Sequence, residues 1–122
     1  MLECEQLTEQ IIGAAIAVHS RLGPGFVESI YEEALAMEFD NRRLRYDRQL
    51  SVPVLYDGRE VGRHRLDLLV ENQIVVELKA VQSFEDVHFS VVRSYLRATG
   101  KHHGLLLNFA THRLAVKRVI HG

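Results

Sequence analysis

The stretch IVVELKA, residues 74–80, begins with the β-branched run Ile74-Val75-Val76, yet it carries Glu77 and Lys79 two positions apart. The β-branched run has the composition and length of a strand interior. Side chains alternate along a strand, so the two charges share one face. One reading is a same-face ion pair at a sheet edge, the usual way in which a strand tolerates charge. The other is half of a metal site, and it requires further acids.

Working outward, Arg65-Leu66-Asp67-Leu68-Leu69-Val70 is a second strand-like run, with Glu71-Asn72-Gln73 as the turn between the two. A three-residue turn sets Val70 against Ile74 and Asp67 against Glu77, whereas a two-residue turn sends Asp67 to the other face. Opposed carboxylates repel by roughly 0.2–1 kcal/mol. They also raise each other's pKa, a conflict that a divalent cation removes. Hard oxygen donors of this kind suit Mg²⁺ or Mn²⁺, which keep several waters and bind through one or two carboxylates. Lys79, one pleat further on, could then orient or deprotonate an attacking water, or stabilise charge on a phosphate oxygen.

The remaining chain supplies a frame. Helical periodicity predicts a first helix from Thr8, as N-cap, to Leu22, ended by Gly23-Pro24-Gly25. A second follows from Val27 to Asn41, with Tyr31 and Leu35 on its apolar stripe, Glu28 at the edge of that stripe and Glu38 within it. Glu32 and Glu33 fall outside the stripe and read as solvated. From Leu44 the period becomes two, with strand-like segments at 44–50, 52–56, 60–70 and 73–79 and a turn at Asp57-Gly58. Ser83 then caps a third helix, with Asp86 at the capping-box position and Gly100 at its end, before strands at 104–109 and 114–120. The order ααββββαββ, without repeats or linkers, predicts one α/β domain over residues 1–122, a mixed sheet flanked by helices.

Asp67, nine intervening residues and then Glu77-Leu78-Lys79 resembles the D-x(n)-(D/E)-x-K core of the PD-(D/E)XK nuclease superfamily. Gly25-Phe26-Val27-Glu28-Ser29-Ile30-Tyr31 is similar to the G-x-x-E-x-x-Y signature of the GxxExxY proteins, a branch of that superfamily. The likeness continues through residues 7–15 and 65–71, Glu77-Leu78-Lys79-Ala80, Tyr95-Leu96 and Leu107-Asn108-Phe109. It implies a restriction-endonuclease-like core, with Asp67, Glu77 and the backbone carbonyl of Leu78 as metal ligands for Mg²⁺ or Mn²⁺. Lys79 would be the catalytic lysine, with Glu28 joining it from the second helix and His88, Tyr95 and Tyr31 around them. It also implies a nuclease that cuts nucleic acid, DNA first among the candidates. Two departures stand out: Val91 occupies the place where relatives carry a glutamine four residues before the third helix's tyrosine, and the segment from Phe109 to Leu114 is short.

Other residues offer weaker signals. His88 lies in the third helix's apolar stripe, where a hydrogen-bonded core histidine is the ordinary reading and a ring nitrogen steering water or phosphate the other. Arg93, Arg97 and Lys101 recur at helical spacing, as a phosphate-tracking edge or as solvated bases. Adjacent His102 and His103 lack the spacing of a structural zinc site. The net charge of -1 conceals an asymmetry, since residues 1–40 hold eight acids and one base, and residues 41–122 eight acids and fourteen bases. That permits a basic face. The single cysteine, Cys4, excludes a disulfide frame and points to a reducing, cytoplasmic setting. No apolar run has the length of a membrane span, and the acidic start at residues 1–5 is unlike a signal peptide. The small surface leaves room for a homodimer or a protein partner.

Overall fold

The computed structural model describes residues 4–122, so the first three residues of the acidic start lie outside the described residues. Helix α1 spans Cys4–Leu22. Thr8 does not cap it: the Thr8 hydroxyl donates to the Cys4 carbonyl at 2.8 Å, the back-bond of a residue already inside a helix. Helix α2 spans Glu28–Asn41. Between the two, Gly23 and Gly25 adopt φ of 70° and 117°, values that other residues reach only at a cost. Tyr31 locks this turn, its hydroxyl donating to the Gly23 carbonyl at 2.6 Å and accepting the Phe26 amide at 3.2 Å.

Five strands follow in one sheet with order β1-β2-β3-β4-β5: Tyr46–Tyr56, Arg59–Val70, Ile74–Lys79, His103–Asn108 and Ala115–Ile120. Helix α3, Asp86–Thr99, makes the crossover between β3 and β4, which are parallel; all other neighbours are antiparallel. The fold is thus the expected mixed sheet flanked by helices, with one correction. Segments 44–50 and 52–56 are a single strand, which makes five strands instead of six.

The reason lies in a change of face. On one side of the sheet, Leu68, Val70, Val76 and Leu78 pack with Leu7, Ile11 and Leu35 of α1 and α2. On the other, Leu66, Leu69 and Val75 pack with Val92, Tyr95 and Leu96 of α3. Leu66 and Leu68 have the same parity, yet they serve opposite cores. The first hairpin therefore turns over between them, and opposite that point Gln49 takes the left-handed φ of 49°. An apolar alternation that reverses midway reads as two strands.

The turn between β2 and β3 has three residues, with Val70 paired to Ile74 and both Glu71 and Asn72 at positive φ. Helix α3 begins later than expected. Its N-cap is Glu85, whose backbone amide donates to His88 Nδ1 at 2.9 Å, while the Glu85 side chain accepts the amide at the third helical position. The imidazole fills the reciprocal place in the capping box that a glutamate usually holds. Gly100 closes the helix at φ 71°.

Candidate active site

The β2–β3 ladder is paired from Val70/Ile74 to Leu68/Val76. One residue further, the Asp67 carboxylate takes over the role of a ladder partner: its Oδ2 accepts the Leu78 amide at 2.9 Å. The parity of the three-residue turn and this bond bring Asp67 beside Glu77. Strand β3 is the third of five, so the pair Glu77 and Lys79 does not sit at a sheet edge. Nor is it a tight ion pair, since Lys79 Nζ stands 3.9 Å from Glu77 Oε2.

Glu77 is 5% exposed, and its Oε1 is buried with no hydrogen-bond partner among the described residues. Burial pushes its pKa up to about 9, the neighbouring Asp67 adds to the rise, and Lys79 opposes it only in part. A buried carboxyl beside a second carboxylate is costly unless it holds a proton or meets a cation. Tyr95, 9% exposed, closes the same cluster. Its hydroxyl is pushed up to about 12, first by burial and then by the charges of Glu77 and Asp67. Beneath Lys79 the backbone is pinned: the Phe109 amide donates to the Lys79 carbonyl at 2.9 Å, and the buried Asn108 side chain bonds both the amide and the carbonyl of Val81.

Glu28 occupies the first turn of α2, exposed and without a hydrogen bond or ion pair among the described residues. Partial burial raises its pKa; Lys79 pulls it down, Asp67 pushes it up and His88 pulls it down. Glu38 turns elsewhere, to Arg21 at 3.4 Å and Arg42 at 3.6 Å. Because the His88 Nδ1 accepts the Glu85 amide, Nε2 is left as the ring's N–H donor in the neutral form. Tyr31 gives its hydroxyl to the turn before α2 and stacks on Phe109 with ring centroids 4.6 Å apart, so it fixes the base from which Glu28 projects.

Arg93 and Arg97 are exposed on α3, and Lys101 is half-buried just beyond it. Arg97 borders a cleft of about 350 Å³ against Pro53, Leu55 and His64 of the first hairpin. None of the three is among the charges acting on Glu28, Glu77 or Tyr95. Val91 is half-buried and packs against the apolar cluster beneath α3.

Two features escaped the sequence reading. Glu32 is not solvated: it is 7% exposed, with Oε2 3.1 Å from Arg48 Nη2 and Oε1 accepting Gln49 Nε2 at 2.6 Å. Its spacing of four from Glu28, which sets both acids on neighbouring turns of one helix face, was the available signal. His64, three residues before Asp67, meets the Tyr95 ring edge-on at 4.7 Å between centroids, and no pattern marked it.

The residues at this centre fit a divalent cation. Asp67 and Glu77 offer hard carboxylate oxygens, one of them buried and unpartnered, in a pair whose mutual repulsion a cation would relieve. Among the described residues no group of three or more His, Cys, Asp or Glu side chains is disposed to hold a metal ion. Asp67 and Glu77 are the two carboxylates that the fold brings together at this point. Among the described residues no helix is long and apolar enough to cross a membrane.

A family model described as the PD-(D/E)XK nuclease superfamily matches residues 5–119. No curated protein matches the chain. Among solved structures, the crystal structure of SSO0001 is similar, with a TM-score of 0.61 and 18% sequence identity over 75% of this chain and 48% of that one. This chain therefore spans about half the length of that structure's chain, and the likeness is one of fold.

Proposed function

The chain belongs to the PD-(D/E)XK nuclease superfamily, and from that premise we propose that it is a metal-dependent phosphodiesterase acting on nucleic acid, DNA before RNA. The observation that carries this reading is Glu77, a carboxyl buried beside Asp67 with an unpartnered oxygen. In this reading Asp67, Glu77 and the Leu78 carbonyl hold Mg²⁺ or Mn²⁺. When bound, the ion supplies Lewis-acid polarisation of the phosphate and a water of lowered pKa. The chain's own residues do the rest. Lys79, half-buried and with its ammonium 3.9 Å from Glu77 Oε2, orients the attacking water or donates to a phosphoryl oxygen. Glu28 faces it from α2, where a carboxylate of raised pKa can hold or pass on a proton. Tyr95 and the His88 ring border the pair. Gly25, Glu28 and Tyr31 support assignment to the GxxExxY branch, with the glycine and tyrosine building the turn that sets the glutamate in place.

A second reading is a nuclease-fold module that binds nucleic acid or a protein without turnover. It is favoured by Val91, which presents no polar atom where relatives carry a glutamine and instead joins the apolar cluster. The test is incubation of the protein with single- and double-stranded DNA and RNA in Mg²⁺, Mn²⁺ or EDTA, beside Asp67→Ala and Lys79→Ala. Cleavage that needs the ion and vanishes in both variants supports the nuclease. Absence of cleavage with every substrate, joined to absence of metal uptake by calorimetry, leaves the binding module.

A further inference from the structure

Gln49 is exposed, so no burial offsets its left-handed backbone, and neither a glycine nor an asparagine occupies a position that favours them. An outlier of this kind asks what holds it and what it serves. Two bonds answer. Gln49 Nε2 donates to Glu32 Oε1 at 2.6 Å and faces Asp67 Oδ1 at 3.4 Å. A primary amide carries two N–H donors on its nitrogen, and between two carboxylates only that end can face both. Glu32 is itself fixed, buried on α2 with Arg48 Nε and Nη2 on its other oxygen at 3.3 and 3.1 Å. A chain of contacts thus runs from α2 through Glu32 and Gln49 to Asp67, whose second oxygen is bound to the Leu78 amide.

We propose that Gln49, clamped by Glu32, is a positioning residue that sets the orientation of the Asp67 carboxylate for the divalent cation. The inference rests on the metal site proposed above. With only two protein carboxylates at the centre, affinity depends on how each is aimed, and groups that orient a ligand typically change metal affinity about 10- to 100-fold when removed. It also accounts for the turnover of the first hairpin at Gln49, which brings the amide of one strand against the carboxylate of the next.

The test is Mn²⁺ binding by isothermal titration calorimetry on the wild type, Asp67→Asn, Gln49→Gly and Gln49→Met, with thermal melting of each. Glycine removes the amide and relieves the backbone, while methionine removes the amide and keeps the volume, so the pair separates loss of the donor from loss of fold. The expected result is tight binding by the wild type, none by Asp67→Asn, and a weakening of about 10- to 100-fold in both Gln49 variants, with the melting temperature of Gln49→Gly equal to or above the wild type's. Binding by the Gln49 variants within twofold of the wild type, with Asp67→Asn inactive in binding, overturns the positioning role and leaves the site standing. No uptake by the wild type, or equal uptake by Asp67→Asn, overturns the site and the positioning role with it.

Discussion

The Asp67 carboxylate accepts the Leu78 amide at 2.9 Å, so the acid on β2 is tied to the backbone of the strand that carries Glu77 and Lys79. One bond does two things: it replaces a ladder contact where the strands part, and it fixes the carboxylate whose other oxygen faces Gln49 Nε2 at 3.4 Å. Asp67→Asn keeps a carbonyl oxygen for that bond and removes the charge that faces Glu77. Cleavage should fall by at least about a hundredfold, since an uncharged amide does not neutralise a hard cation and binds it more weakly than a carboxylate. Stability should stay within about 1 kcal/mol of the wild type or rise, because a like-charge neighbour is removed. Cleavage rates and urea melts measured on the same preparation check both halves. Equal loss of folding and activity would mean that Asp67 is a structural cap alone.

Tyr31 gives a second separation of roles. Its hydroxyl joins Gly23 and Phe26 across the turn that precedes α2, and its ring packs on Phe109. Tyr31→Phe keeps the ring and leaves the Gly23 carbonyl and the Phe26 amide without that partner, a loss of about 1–3 kcal/mol. Glu28 then projects from a looser base. Cleavage at saturating Mn²⁺ should decline, while the Mn²⁺ affinity set by Asp67 and Glu77 stays within twofold. Calorimetry beside single-turnover kinetics distinguishes this from a general loosening, which would weaken both.

Gly104 on β4 lies under α3, where an added Cβ would meet Val92 Cγ1 at 2.7 Å. Val92 is fully buried and β-branched, so its methyl has no second rotamer to retreat into without moving the helix. Gly104→Ala should therefore cost about 1–3 kcal/mol, read as a shift of the urea midpoint at unchanged slope. A neutral substitution would show that α3 floats on the sheet, and that Tyr95 is held less firmly than its burial suggests.

How much of this was legible beforehand differs by residue. The helices and the fold class were open to reading because apolar periodicity and Gly23-Pro24-Gly25 mark them directly, and the three-residue turn at Glu71-Asn72-Gln73 was one of two parities that the spacing allowed. The unity of β1 was hidden, because the hairpin turns over at Gln49 and pattern rules assume one face per strand. The start of α3 was misread because Ser83 and Asp86 satisfy a capping pattern that Glu85 and His88 also satisfy through an imidazole. Near Glu77, alternation put Lys79 on the same face, but it put Asp67 there only if the turn had three residues, which is the turn that forms. For Glu32 the spacing of four from Glu28 gave only a shared helix face; its burial depends on Arg48 and Gln49 arriving from a strand that sequence spacing does not bring to α2.

The last prediction follows from the sign of the Glu77 shift. In the unfolded chain a glutamate titrates near 4.5, whereas in the fold burial and Asp67 move Glu77 up to about 9. Between those values the folded protein holds more protons than the unfolded chain, so metal-free stability falls as pH rises through that window and levels off above it. The direction is opposite to that of a salt-bridged surface acid, which gains stability as pH rises. A divalent cation that neutralises the pair in place of the proton should remove most of this slope and raise the melting temperature most at pH 8–9, where the proton on Glu77 competes least with the ion. Glu77→Gln should flatten the metal-free slope and abolish the response to the cation. Melting curves from pH 5 to 9, with EDTA and with Mn²⁺, give all three comparisons. A metal-free profile that is already flat would mean that Lys79 neutralises Glu77 fully at 3.9 Å, and that the pair needs no further cation.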